Sequence, residues 1–259
     1  MTDADKETRA GSFGGVASHY ERYRPGPPVD AADWFVPIRV GRVVDLGAGT
    51  GALTRLLIDR ADEVVAVEPD DRMRSVLTEQ VPGARAVRGR GESMPLPDRS
   101  ADAVLASSSW HWMDPLPTLH EVARVLVPGG TLGAVWAGPD PEGPLMVQAR
   151  ALLAGPEVAA IAGDVIDRAA GSQFALEIPA AAPFDQPEHA VFTWDVALDA
   201  DDLIGLMGTL SWVITMAEER REALIAETRR LLRDALGIEG DLTVDVAFRA
   251  DAWRTRRHG

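Results

Sequence analysis

Cysteine is absent from the 259 residues, and lysine occurs once, at Lys6. Without thiols there is no disulfide framework, no thiolate metal site and no cysteine nucleophile. The other basic residues are arginine, as the codon bias of a GC-rich genome would produce. Long apolar runs are also lacking. Nothing approaches the ~18 unbroken apolar residues of a membrane span, and Met1–Ala10 is polar and charged, without the core of a signal peptide. These absences read as a cytoplasmic protein with no membrane partner. Positive charge is scarce too. A net charge of −14 repels phosphate backbones and anionic lipid, so nucleic acid is not an expected partner. The one basic run, Arg254–His258, reads as a solvated end. Histidine is sparse and shows no ligand spacing. His120 stands beside Glu121 but outside any H-E-x-x-H, so no metal site is expected.

What is present suits a globular chain. Hydrophobic residues make up 46% and charged residues 25%, enough for a sizeable core. From residue 40 onward, short apolar runs alternate with helical spacing. Strands are expected at Val40–Leu46, Glu63–Val67, Ala84–Arg88, Ala101–Ala106 and Thr131–Trp136. Helices are expected at Ala52–Arg60, Asp71–Gln80 and Leu116–Leu126. This rhythm indicates βαβ units with right-handed crossovers, hence a parallel sheet covered by helices on both faces. After Gly138 the texture changes. A strand is expected at His189–Leu198, a helix at Asp201–Met216, an amphipathic helix at Glu218–Leu236 capped by Gly237, and a last strand at Thr243–Phe248. The expected organisation is one domain over 1–259. It has an N-terminal cap (1–36), a core (37–138), a cap or lid (139–217) and a C-terminal helix and strand (218–259).

The sharpest local signal is Asp45-Leu46-Gly47-Ala48-Gly49-Thr50-Gly51, which ends the first strand and opens the first helix. Glycines there let backbone pass close to a ligand. The spacing is G-x-G-x-G, not the G-x-G-x-x-G of dinucleotide enzymes. Glu68 ends the second strand, 17 residues after Gly51, where a carboxylate can accept both hydroxyls of a ribose. Asp45 would repel a pyrophosphate but suits a cationic ligand. Ser107–Ser109 lacks the G-x-S-x-G of a serine hydrolase.

Together these residues carry a resemblance. Residues 40–136 resemble the S-adenosylmethionine (SAM)-binding core of class I methyltransferases. They are most similar to the small-molecule group that includes ubiquinone-biosynthesis-type and trans-aconitate-type enzymes. Asp45–Gly51 and Val65-Ala66-Val67-Glu68-Pro69 match the first two motifs. Gly91-Glu92-Ser93-Met94-Pro95-Leu96-Pro97-Asp98 resembles the adenine loop, and Leu126-Val127-Pro128-Gly129-Gly130 the turn before the fifth strand. The resemblance implies an α/β, Rossmann-like, seven-stranded, mostly parallel sheet with a helical cap, and SAM as cofactor. Gly47, Gly49 and Gly51 would lie under the methionine part and Glu68 would hold the ribose. Met73 would pack on adenine or else belong to the core. Gly91 and Glu92 would meet the adenine edge, though Glu92 equally reads as a solvated acid.

In open α/β sheets the ligand lies outside the carboxyl ends of the strands. The fourth strand therefore aims Ser107 and the following Trp110-His111-Trp112 at the methyl group. His111 could deprotonate or orient an acceptor, or simply bond a backbone carbonyl. Trp110 and Trp112 could wall an apolar pocket or belong to the core. By resemblance, Tyr20 would fold over SAM, and Ser211 and Trp212 would line the acceptor side. The expected partner is a small-molecule acceptor, and the chain a monomer or homodimer. A nicotinamide-dependent oxidoreductase and a non-catalytic binding protein are the competing readings.

Overall fold

The computed structural model describes residues 23, 25–153, 174–214 and 216–259, without the side chains of 150–153 and 211–212. Seven strands form one sheet: β1 (Val40–Leu46), β2 (Ala61–Val67), β3 (Arg85–Val87), β4 (Ala101–Ser107), β5 (Leu126–Pro139), β6 (Glu188–Leu198) and β7 (Val244–Arg256). Their spatial order is β3-β2-β1-β4-β5-β7-β6. The first five strands are parallel, while β7 runs antiparallel to both of its neighbours.

Burial follows from this placement. The carboxyl halves of β1 and β2, Val43–Leu46 and Val64–Val67, are buried on both faces, apolar throughout in β2 and interrupted only by Asp45 in β1. The edge strand β6 instead alternates, with one face wetter than the other. One face carries a core built on Val44, Val65, Val104, Leu119 and Leu132. The other buries Phe35, Val43, Leu57, Leu105 and Val135.

Helices cover both faces. They are α1 (Val29–Phe35), α2 (Thr54–Leu57, continued as a 3-10 turn to Arg60), α3 (Asp71–Gln80) and α4 (Pro115–Val125), then α5 (Pro144–Leu153), α6 (Ala200–Gly208), α7 (Ser211–Ile214) and α8 (Glu218–Leu236). Their ends are set chemically. The Asp70 side chain caps α3 by accepting from the N–H groups of Arg72 and Met73. Asp199 and Asp202 form a capping box on α6. Gly237, at φ 68°, closes α8. The helices α6 and α8 share an apolar layer of Ala200, Ile204, Leu232 and Ile238. Among the described residues no helix is long and apolar enough to cross a membrane.

Three expectations change. The single helix expected over Asp201–Met216 is two. Gly208 weakens it, and the Thr209 hydroxyl donates to the Leu206 carbonyl at 2.7 Å, ending α6. The helix expected from Ala52 begins at Thr54, because Gly51 at φ 98° still belongs to the turn. The Arg254–His258 run is not a solvated end. The last strand continues to Arg256, and Arg254 bonds Glu188 at 2.7 Å and stacks 4.2 Å over the Trp34 ring. Arg257 donates to the Leu126 carbonyl at 2.8 Å.

Candidate functional site

The strand order reverses direction between β1 and β4, and at such a switch point the crevice outside the carboxyl ends is open to a ligand. The glycine turn after β1 and the Ser107–Trp112 segment after β4 therefore meet. The Ser109 hydroxyl donates to the Leu46 carbonyl at 2.7 Å. A Cβ at Gly47 would stand 2.6 Å from the Ser109 Cβ, and its φ of 69° is one that L residues rarely adopt. Gly47 is thus required by both space and conformation. Gly51 is similarly confined, by Leu77 of α3 and by Val81.

Two acids flank the turn. Asp45 is fully buried. Its Oδ2 accepts from the Thr54 hydroxyl at 2.6 Å, while its Oδ1 has no partner among the described residues. Burial, with a further push from Glu68, raises its carboxyl to about pKa 7 despite the Thr54 bond. Glu68 accepts from the Gly49 N–H and the Asp70 N–H, each at 2.9 Å. Burial raises its carboxyl, opposed by those two donors. Each carboxylate oxygen has two lone pairs, so the Glu68 group keeps acceptor capacity after these bonds.

Met73 is buried at the start of α3. Gly91 is confined, since a Cβ there would stand 2.6 Å from the Met113 sulfur. Met113 also neighbours Gly47, so its side chain lies between the glycine turn and the Gly91 loop. The Glu92 carboxylate accepts from the Asp114 N–H at 2.8 Å and so anchors that loop to the start of α4. Ser107 is the last residue of β4, opposite Val135.

Trp110 and Trp112, two residues apart, separate. Trp110, only 6% exposed, belongs to the core. Trp112 is half-buried with its ring 4.7 Å from that of His111. His111 accepts at Nδ1 from the Trp136 indole N–H at 3.1 Å. In a neutral ring with that bond, the proton sits on Nε2. Tyr20 lies outside the described residues, as do the side chains of Ser211 and Trp212. The neighbouring Tyr23 is described. Its ring packs so closely on α6 that a Cβ at Gly205 would collide with it. Three residues on, Gly26 sits against Ala52, directly after the glycine turn. Tyr23 therefore meets the helical cap, and Gly26 the end of that turn.

Sequence reasoning missed Thr54, Ser109, Met113, Trp136 and Phe174. Thr54 had a signal, three residues after Gly51 on the first helix. Trp136 and Phe174 had none, since they reach His111 from 25 and 63 residues away.

Comparison with known proteins shows the family. Residues 44–134 match the model of a methyltransferase domain. The chain is similar to an uncharacterized methyltransferase of Mycobacterium bovis, 38% identical over 221 residues and 85% of each chain. It is also similar to the structure of a candidate type II methyltransferase from Anaeromyxobacter dehalogenans. That match is 25% identical with a TM-score of 0.57 and covers 90% of this chain and 98% of that one. The phosphoethanolamine N-methyltransferase 2 of Haemonchus contortus, solved with phosphomonomethylethanolamine and S-adenosylhomocysteine, shares the fold. It is 13% identical with a TM-score of 0.53, over 100% of this chain and 61% of that one. With its glycine turn and two buried acids set on this sheet order, the chain belongs to the class I methyltransferase family.

Proposed function

We propose that the protein transfers a methyl group from SAM to a small-molecule acceptor. The observation that carries this is the pair of buried carboxyl groups, Asp45 and Glu68, on either side of a turn that admits only glycine at Gly47. A site so lined repels pyrophosphate and suits an ammonium and a ribose diol. The Asp45 Oδ1, without a partner among the described residues, is a ready acceptor for a cationic donor. The Haemonchus fold neighbour, named with S-adenosylhomocysteine, supports the same ligand class.

SAM, when bound, supplies a methyl group on a positively charged sulfur, which the acceptor atom takes in line as the sulfur keeps the electron pair of the broken bond. The chain's part is to position and to exclude water. Asp45 and the glycine turn hold the amino-acid end and Glu68 the ribose, with Met73, Gly91, Met113 and Glu92 around the base. Ser107 and Trp112 border the methyl group. His111, whose Nδ1 accepts from the Trp136 N–H, borders and orients the acceptor.

The competing nicotinamide reading makes the opposite electrostatic demand. Equilibrium binding of SAM and of NADH to the purified chain separates the two. Micromolar affinity for SAM with no enhancement of NADH fluorescence is expected. Binding of NADH with none of SAM would reverse the assignment.

A further inference from the structure

We propose that the acceptor's seat is the surface shared by the rings of His111 and Trp136, that it takes a planar conjugated molecule, and that the side chain of Phe174 fills it when no acceptor is bound. This rests on the methyl-transfer reading above.

His111 follows the carboxyl end of β4, and Trp136 lies near the carboxyl end of β5, the adjacent strand. Both stand on the side of the sheet end that the glycine turn opens. The Trp136 N–H donates to His111 Nδ1 at 3.1 Å, which ties the two rings together and gives each a fixed orientation. Phe174 covers both at once. Its ring centre is 4.5 Å from that of His111 at 28°, and 5.6 Å from that of Trp136 at 12°. Those distances and angles belong to offset stacking. Phe174 is nevertheless 38% exposed, one of the few large apolar side chains left so open. A stacked ring held by one face and open to water on the other is easily exchanged for a ligand ring. The replacement gains the same two stacking partners. A saturated ring of equal outline fills the space without the stacking.

The test uses the full chain saturated with S-adenosylhomocysteine, titrated calorimetrically with 2-naphthol and with decahydro-2-naphthol. The planar compound is expected to bind about fivefold tighter than the saturated one. Phe174→Ala is expected to tighten 2-naphthol severalfold, because the occupant is gone. Trp136→Leu is expected to abolish the preference for the planar compound while leaving the affinity for S-adenosylhomocysteine within about twofold. A Phe174→Ala variant that binds 2-naphthol equally or more weakly would make Phe174 a wall and overturn the proposal. So would equal affinity for the two compounds, or no binding of either. Failure of the methyl-transfer reading shows separately, as absent heat in the prior titration with S-adenosylhomocysteine.

Discussion

Asp45 holds a fully buried carboxyl group, with one oxygen on the Thr54 hydroxyl and the other without a partner among the described residues. With its pKa raised to about 7, the native chain keeps a proton that the unfolded chain has already lost. Stability therefore falls as pH rises from about 4 to about 7, and the full cost, on the order of 4 kcal/mol, stands above that. Asp45→Asn keeps the acceptor for Thr54 and removes the charge. It is expected to raise the thermal midpoint of the free protein, more at pH 8 than at pH 5, as scanning calorimetry would register. The same variant is expected to lose cofactor affinity, because a cation binds the ionised form. By the same linkage, wild-type affinity for SAM at pH 6 should be about tenfold below that at pH 8. An affinity flat across that range would separate Asp45 from the cationic end of the ligand.

At the scale of elements, the contacts of Tyr23 and Gly26 matter most. Tyr23 packs on Gly205 of α6, and Gly26 on Ala52 after the glycine turn. Alanine at position 205 ought to favour the helix by about 1 kcal/mol. Here its Cβ would enter the Tyr23 ring, so Gly205→Ala is expected to lower the melting temperature and to weaken S-adenosylhomocysteine binding together. Gly205→Ala combined with Tyr23→Ala should recover the stability but not the binding. Several elements were legible from local pattern alone, among them β1, α3 with its Asp70 cap, and α8 with Gly237. So were the two acids, because Asp45 and Glu68 each sit at a strand end that periodicity marks. The pairing of His111 with Trp136 was not legible. It depends on β5 lying beside β4, which only the assembled sheet provides.

For the whole molecule, β7 does the joining. It pairs with β5 from Thr131 to Pro139 on one side and with all of β6 on the other. Its end looked like a solvated basic run because arginine dominates the composition there. In the structure, stems and guanidinium groups are used: Arg254 on Trp34 and Glu188, Arg257 on Leu126, with the Thr255 hydroxyl on the Asp185 carbonyl at 2.7 Å. Deleting residues 254–259 is expected to cost roughly 3 kcal/mol, a fall of roughly 5–10 °C in the melting midpoint. An unchanged midpoint would restore the reading of a free tail.

The central claim is that Asp45 and Glu68 hold a SAM-type ligand at the switch point of the sheet. Calorimetric titration of wild type, Asp45→Ala and Glu68→Ala with S-adenosylhomocysteine tests it most directly. The expected result is micromolar affinity in the wild type and a loss of at least about tenfold in each variant, with folding retained by circular dichroism. Wild-type protein that takes up no S-adenosylhomocysteine, or variants that bind it as well as wild type does, would contradict it.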